Sequence, residues 1–348
     1  EMPQPKKTFL LNRGQYDAPT KQVFPNTPEK ILPFSNQLPK NRYGLAQWLT
    51  DARNPLTARV AINHLWQNFF GKGLVKTAED FGNQGEMPSH LNLLDWLAIE
   101  LRDNNWDIKK INKLIVMSAT YQQDSKASSM LMEKDPENKL LARGPSIRLS
   151  AEMIRDNALV ASGLLNKKLG GKSVYPYQPE GLWEINGTKY NQDSTDQVYR
   201  RSLYIVLKRT VPNPTLANFD GPTRASCLVR RQSTNTPLQA LVTLNDPTFI
   251  EAAKVIGESI TKQQNTAAAI SKAYQQLTGT TPTTKQMALL NALQQSEYNK
   301  FKAYPNKIKG WINTGLYKID KTLDPYWVAA NSVVASTILN SDATITKR

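Results

Sequence analysis

The densest group of chemically active side chains lies in residues 222–249, in the stretch PTRASCLVRRQSTNTPLQALVTLNDPTF. This stretch holds the chain's only cysteine, Cys227, together with Arg224, Arg230 and Arg231. Two apolar segments with helical spacing follow, so the positive charge is expected where a loop meets helix N-termini and their unpaired backbone donors. Such a place suits an anion, and the three arginines are candidate anion-binding residues.

Cys227 is also a candidate catalytic thiol. Neighbouring arginines and a helix N-terminus lower the pKa of a thiol and favour its reactive, ionised form. The alternative is a buried cysteine that packs as a small apolar side chain beside Leu228 and Val229. We favour the buried, unreactive interpretation.

Arg143, Arg148, Arg155 and Asp156 form a second polar group around the segment GPSIRLSAEMIRD. Arg148 and Arg155 are candidates for the same anion site as the arginines of residues 222–249. The alternative is that each arginine pairs with a carboxylate inside the fold, since internal ion-pair networks produce this pattern as readily as active sites do. The residues alone leave both alternatives open.

The chain has two histidines, His64 and His90. His90 lies in EMPSHLNLLDW with Asp80 nearby in sequence, and both are weak candidates for catalytic residues, with His90 as a general base. A capping or packing role at the start of a helix is the favoured interpretation of His90. His64 is expected to be half-buried and hydrogen-bonded within a helix.

Several chemistries have no motif in this sequence. It has no CxxCH for covalent haem, no phosphate-binding Walker loop, no GxGxxG after a strand, no GxSxG and no HExxH. Two histidines and one cysteine cannot supply a conventional metal or haem shell, so we expect no metal and no cofactor in this chain.

The net charge of +15 over 348 residues favours polyanionic partners. The basic residues are scattered in small clusters and no nucleic-acid-binding motif is present, which argues against a nucleic-acid partner.

No apolar run reaches the roughly 18 residues of a membrane helix, so no transmembrane segment is predicted. The chain begins at Glu1, and we expect it to be part of a longer protein.

The pattern of apolar residues predicts a mainly α, multi-helix globular domain with a long irregular central loop and one or two short strands. The strands are expected within SLYIVLKRTV, residues 202–211. Pairs of a capping residue and proline predict helix starts along the chain, at Asn54, Asp135, Thr236, Asp246, Thr281 and Asp324. The predicted segments are an extended strap or linker (1–40), an N-terminal helical lobe (41–165), an irregular loop with short strands (166–235) and a C-terminal helical lobe (236–348).

Several long motifs give the sequence a family resemblance. NPLTARVAINHLWQNFFGKGLVKTAEDFGNQGEMPSHLNLLDWLA, YQPEGLWEINGTKYNQD, YRRSLYIVLKRT and FDGPTRASCLVRRQSTNTPLQALVTLNDPTFIEAA occur in this order. Together they resemble the C-terminal domain of planctomycete cytochrome-associated exported proteins, known as domain of unknown function 1553. One departure is His64, which stands where many members have arginine.

The resemblance implies a context. Such domains usually follow a second uncharacterised domain, and often a cytochrome c-like haem domain, in exported proteins of bacteria that digest polysaccharides. It therefore implies a module of the periplasm or cell surface that docks an upstream companion domain. The module would help to form a site for acidic carbohydrate, and one interpretation makes this a redox site. Any haem would belong to an upstream domain. The alternative is a structural or anionic-polymer-binding module without catalysis.

Overall fold

The computed structural model describes residues 6–184 and 187–348. Residues 1–5 of the predicted strap and residues 185–186 of the predicted central loop lie outside the described residues. The chain forms two compact units. The first contains residues up to 123 and 129–142, and the second contains 124–128 and 143–348.

The first unit is built from one hairpin and five helices. The strands β1 (Thr8–Leu11) and β2 (Pro19–Val23) pair antiparallel within the segment predicted to be extended. The helices are α1 (Arg42–Leu49), α2 (Thr57–Phe70), α3 (Leu91–Asp103), α4 (Ile108–Val116) and α5 (Ser129–Lys134).

Apolar residues at helical spacing build the core of this unit. On α2, Ile62, Trp66 and Phe70 are buried at intervals of four residues. They pack against the apolar stripes of α3 and α4, so all three helices share one core. Its buried members from α3 and α4 are Leu94, Leu97, Ala98, Leu101, Ile111 and Ile115.

The second unit contains the remaining nine α-helices of the described chain. They are α6 (Ala151–Ser162), α7 (Pro214–Asn218), α8 (Pro237–Asn245), α9 (Pro247–Thr261), α10 (Thr266–Thr278), α11 (Thr284–Ala303), α12 (Lys309–Ile312), α13 (Pro325–Leu339) and α14 (Asp342–Ile345). Two short strands, β3 (Ile147–Arg148) and β4 (Thr346–Lys347), pair antiparallel, with Arg148 opposite Thr346. The mainly α prediction is confirmed.

The helices α9 and α13 form the centre of this unit. A Cβ atom added at Gly257 of α9 would lie 2.5 Å from the backbone nitrogen of Ser332 on α13. Glycine is therefore required for the two backbones to approach this closely. Phe249, Ala252 and Ala253 of α9 are fully buried in the surrounding core.

Three of the six predicted helix starts are confirmed. Thr236, Asp246 and Asp324 each precede a helix with proline in its first turn. The structure differs at the Asp135–Pro136 pair, where no helix begins. The Asp135 carboxylate instead accepts the backbone N–H groups of Lys139 and Leu140 in a turn, which satisfies those donors without a helix.

The other two pairs lie just before their helices. At Asn54 the side chain accepts the N–H groups of Leu56 and Thr57, and α2 begins at Thr57. The helix predicted from Thr281 begins at Thr284, because Thr283 forms a capping box with Gln286.

The strand predicted in residues 202–211 is wrong. Residues Ser202–Tyr204 form a 3₁₀ turn, and only single bridges, such as Val174 to Ile205, occur nearby. The reason is a tertiary contact: the Asp156 carboxylate accepts both the N–H and the hydroxyl of Ser202, at 2.8 and 2.7 Å. These side-chain bonds take the place of a strand ladder.

Within the described residues, no helix combines the length and the apolar composition needed to cross a membrane.

Candidate functional site

The short sheet at the end of the chain positions Arg148. Because β3 pairs with β4, Arg148 is held at the strand end, where its side chain reaches the segment before α8. Its Nη1 donates to the carbonyl oxygen of Thr234 and to Oε1 of Gln239, both at 2.5 Å. Its Nη1 and Nη2 each lie 3.5 Å from Oδ1 of Asn235.

Gln239 is fixed independently of Arg148. It lies in the first turn of α8 and is 2% exposed. Its Nε2 donates to the carbonyl oxygen of Asn218 at 2.9 Å and to the hydroxyl of Thr234 at 3.1 Å. Thr234 is in turn held by the Asp220 carboxylate, which accepts its N–H at 2.8 Å. Gln239 and Thr234, which orient the guanidinium of Arg148, are therefore held in place by hydrogen bonds within the protein.

Arg148 lines a cavity of about 150 Å³. Hydroxyl and amide side chains make up most of its polar wall. These are Asn235, Thr236, Gln239, Thr243 and Asn340. The one carboxylate in the lining, Asp342, forms an ion pair with Arg348.

The charge of Arg148 is not neutralised by the protein. All its hydrogen-bond partners are uncharged oxygens, and no carboxylate of the described chain lies within ion-pair distance of it. The Nη1 donors are used by Thr234 and Gln239, whereas the edge formed by Nε and Nη2 makes only the 3.5 Å contact with Asn235. That edge has the fork geometry that pairs with a carboxylate or a sulfate.

Arg155 is placed differently, inside the core of the second unit. It is 2% exposed and donates to the carbonyl oxygens of Val198 and Arg200, at 2.6 and 2.9 Å. Burial lowers its pKa, against the opposing effect of the nearby Asp156 carboxylate. Its donors hold the irregular central segment onto α6.

Arg231 forms a two-pronged ion pair with Glu152 in the first turn of α6. The Nη1–Oε2 and Nη2–Oε1 distances are 2.6 and 3.1 Å. Burial alone would raise the pKa of Glu152, but the hydrogen bond from Arg231 contributes to a net lowering. This arginine fastens the loop before α8 to α6.

Arg224, Arg230 and Cys227 lie in the exposed part of that loop. Arg224 has a left-handed backbone, with φ of 60°. The expectation that Cys227 is buried is wrong: it is a free, exposed cysteine, because residues 223–233 form an exposed loop rather than part of the core. Among the described residues, none of these three lines the Arg148 cavity, whose lining begins at Asn235 on this side.

His90 and Asp80 both lie in the first unit. The ring of His90 contacts the hydroxyl of Ser89 at 3.1 Å, and His90 directly precedes α3 without capping it through its side chain. The Asp80 carboxylate accepts the N–H of Gly82 at 2.7 Å and so shapes a turn. No hydrogen bond joins His90 to Asp80. His64 is half-buried as expected, but its Nε2 atom is buried without a hydrogen-bond partner.

Among residues 6–184 and 187–348, no three His, Cys, Asp or Glu side chains are grouped so that they could hold a metal ion. The residues present also do not fit a covalent haem, since the sequence lacks a CxxCH motif.

Sequence reasoning found Arg148 and Thr236 but missed Gln239, Asn340 and Asp342. The missed residues are polar side chains of ordinary type. Asn340 and Asp342 belong to the C-terminal segment, whose strand β4 pairs with β3. The capping role predicted for Thr236 correctly located the start of α8. Nothing in the local sequence pattern signals that Asn340 lines the same cavity as Thr236.

A family model named PSD1 and described as a protein of unknown function (DUF1553) matches residues 41–294. No curated protein and no solved structure matches the chain. The matched range includes α2, the central segment, the arginine-rich loop and α8.

Proposed function

This chain belongs to the DUF1553 family, and we propose that it is a binding module for acidic carbohydrate, with the Arg148 cavity as its site. This proposal rests on one observation, the set of groups that surround the guanidinium of Arg148. Its guanidinium is oriented by Thr234 and Gln239 and meets no carboxylate among the described residues, so its charge is not neutralised there and its Nε–Nη2 edge makes only a 3.5 Å contact with Asn235.

The ligand follows from the chemistry of the cavity. A guanidinium edge pairs with a planar carboxylate through two parallel hydrogen bonds. Hydroxyl and amide groups such as those of Thr236, Thr243 and Asn340 donate to and accept from sugar hydroxyls. The volume of about 150 Å³ suits one sugar ring rather than a length of polymer. We therefore assign a uronate residue, or a sulfated sugar, as the group that enters.

The family resemblance supports, as part of this proposal, a module that works beside other domains. In such a protein it would be exported to the periplasm or cell surface, and a companion domain would lie upstream. Haem, where present, would be held by a separate domain and would supply electron transfer there. The residues of this chain bind and orient the anionic sugar, and we assign no reaction step to them.

A second proposed role, docking of the companion domain, rests on exposed apolar side chains around α8. Leu238, Leu241 and Leu244 are 57%, 53% and 40% exposed and lie at spacings of three along the helix. Leu228 and Val229 are also exposed in the preceding loop. The segment 223–245 contains arginines and no acidic residue, so a partner with apolar and acidic groups fits it.

Calorimetric titration tests carbohydrate binding directly. The intact chain is titrated with an oligogalacturonate at low and at high salt, and affinity is expected to fall as salt rises because the contact is ionic. An Arg148→Gln variant should lose most of the affinity. Arg201→Gln, which removes an exposed arginine elsewhere in the second unit, is the matched control and should bind like the intact chain. Binding that is absent in the intact chain, or unchanged by Arg148→Gln, would contradict the proposal.

Docking is tested separately by co-expression with the domain that precedes this one in related proteins. Replacing Leu238 and Leu241 by serine should abolish co-purification without unfolding the chain. Leu169→Ser, at a side chain that is 70% exposed, is the control. Equal co-purification of all variants would remove α8 from the docking surface.

A further inference from the structure

The first unit contains a cavity of about 130 Å³ whose floor is apolar. Its apolar lining includes Trp66 and Phe70 from the last turns of α2, with Leu74 and Leu141. The rings of Trp66 and Phe70 are stacked, with centroids 4.1 Å apart and planes 10° from parallel. Each ring therefore covers one face of the other, and both are largely buried, so this apolar wall is held in place.

Charged side chains form the rim of the same cavity. Three ammonium groups gather around one carboxylate, that of Glu137. Lys76 Nζ lies 3.2 Å from Oε2, Lys72 Nζ lies 3.7 Å from Oε1, and Lys139 Nζ lies 3.8 Å from Oε2. A second carboxylate, Glu86, is 3.8 Å from Lys76.

The rim therefore carries excess positive charge. A hydrogen bond from Lys76 and the charge of Lys72 lower the pKa of Glu137, so its carboxylate stays ionised. Even with Glu137 and Glu86 both ionised, the three lysines leave one positive charge unbalanced. The contacts of Lys72 and Lys139 with Glu137 are longer than hydrogen bonds, so the N–H donors of both ammonium groups remain available.

We propose that this cavity binds a small carboxylate carried on a flat apolar ring, that is, an aromatic acid. The ring packs on the wall formed by Trp66 and Phe70, and the carboxylate lies between Lys72 and Lys139. The Arg148 cavity has mainly amide and hydroxyl walls and suits a sugar, whereas the floor here offers a hydroxylated ring few partners. This site is independent of the proposed carbohydrate function and lies in the other unit.

Benzoate is the probe, titrated into the intact chain and followed by NMR line shape and chemical shift. Benzyl alcohol has the same ring without the charge and should bind at least about tenfold more weakly, because a charge-assisted contact is lost. Lys72→Met and Lys139→Met should each weaken benzoate binding by about the same factor. Both side chains are about half exposed, so the variants are expected to fold.

Two controls locate the binding. Lys113→Met removes an exposed charge on α4 and should leave benzoate affinity unchanged. Arg148→Gln should also leave it unchanged, which separates this proposal from the carbohydrate site. The proposal is overturned if the intact chain does not bind benzoate, if benzyl alcohol or glucuronate binds equally well, or if Arg148→Gln rather than the lysine variants abolishes binding.

Discussion

Arg148 donates to Oε1 of Gln239 over 2.5 Å, although the two residues are 91 positions apart in the chain. Gln239 is buried and is itself held by Asn218 and Thr234. The guanidinium is thus oriented by a neutral amide instead of a carboxylate. A neutral partner fixes its direction without cancelling its charge, which is the arrangement expected of an anion-binding arginine.

Gly315→Ala should destabilise the protein strongly. Gly315 has a φ of 81°, and an added Cβ atom would lie 2.1 Å from the carboxylate carbon of Glu251. Glu251 is fully buried and accepts hydrogen bonds from the hydroxyls of Tyr177 and Tyr199. We expect a loss of more than about 3 kcal/mol in the free energy of unfolding, measured by urea titration.

Gly163→Ala is the matched comparison, because Gly163 has a similar φ of 79° and open space around its Cα atom. Only the left-handed backbone is then strained, which costs about 1 kcal/mol. Equal losses for the two variants would show that contact with Glu251 plays no part.

Arg155→Met should also destabilise the second unit. The carbonyl oxygens of Val198 and Arg200 would lose their donors inside the protein. We expect a loss of about 3 kcal/mol in the free energy of unfolding, since each buried unpaired group costs about 1–3 kcal/mol. Arg201→Met, at an exposed neighbour, should stay within about 0.5 kcal/mol of the intact chain. A stable Arg155→Met variant would contradict the structural role assigned here.

Asp246→Ala removes the N-cap of α9, where Oδ1 accepts the N–H of Thr248 at 2.8 Å. The loss expected from capping is about 1 kcal/mol. Oδ2 also accepts from the hydroxyl of Thr215 on α7, so Thr215→Val and the double variant complete a cycle. We expect the two changes to be non-additive, and carbohydrate binding to be preserved in each. Strict additivity in urea unfolding would show that the Thr215 contact contributes nothing.

The Asp51 carboxyl should titrate at an unusually low pH. Hydrogen bonds from the side chain and backbone of Arg53 lower the pKa of Asp51 to about 2. Its ordinary value in an unfolded chain is about 3.9. The stability from this pair is therefore complete above about pH 4 and is lost as the pH falls through about 2. Because the pair is exposed and screened by solvent, its contribution to the free energy of unfolding is small.

Carbon-detected NMR of the Asp51 carboxyl measures this pKa. Replacing Arg53 by methionine should move the midpoint upward toward the ordinary value. A midpoint near pH 4 in the intact chain would show that Arg53 does not hold the carboxylate in solution.

The helices were predictable because their signals are local. Apolar residues at spacings of four, as at Ile62, Trp66 and Phe70, and capping residues before proline, as at Asp246 and Asp324, act within one or two helical turns. The strand predicted near Tyr204 failed because Asp156, distant in sequence, binds the backbone at Ser202. Propensity is a weak guide where such tertiary hydrogen bonds decide the backbone.

The site was predictable only in part, for the same reason. Arg148 stood out by its type and by its basic neighbours, whereas Gln239 and Asn340 gained importance only from their positions in the fold. From the sequence, five arginines were candidates for one anion site, yet the structure gives them different surroundings. Arg155 binds buried carbonyls, Arg231 binds Glu152, and Arg148 meets neutral oxygens. Residue type cannot distinguish these environments.

The most direct test of the central claim compares a charged sugar with its neutral counterpart at the Arg148 cavity. Calorimetric affinities for glucuronate and glucose oligosaccharides of equal length are measured at low salt, on the intact chain and on Arg148→Gln. We predict that the intact chain prefers the uronate by about tenfold or more, the value of one charge-assisted contact, and that Arg148→Gln abolishes this preference while remaining folded. An equal affinity for both sugars in the intact chain, or an undiminished uronate preference in the folded variant, would contradict the claim.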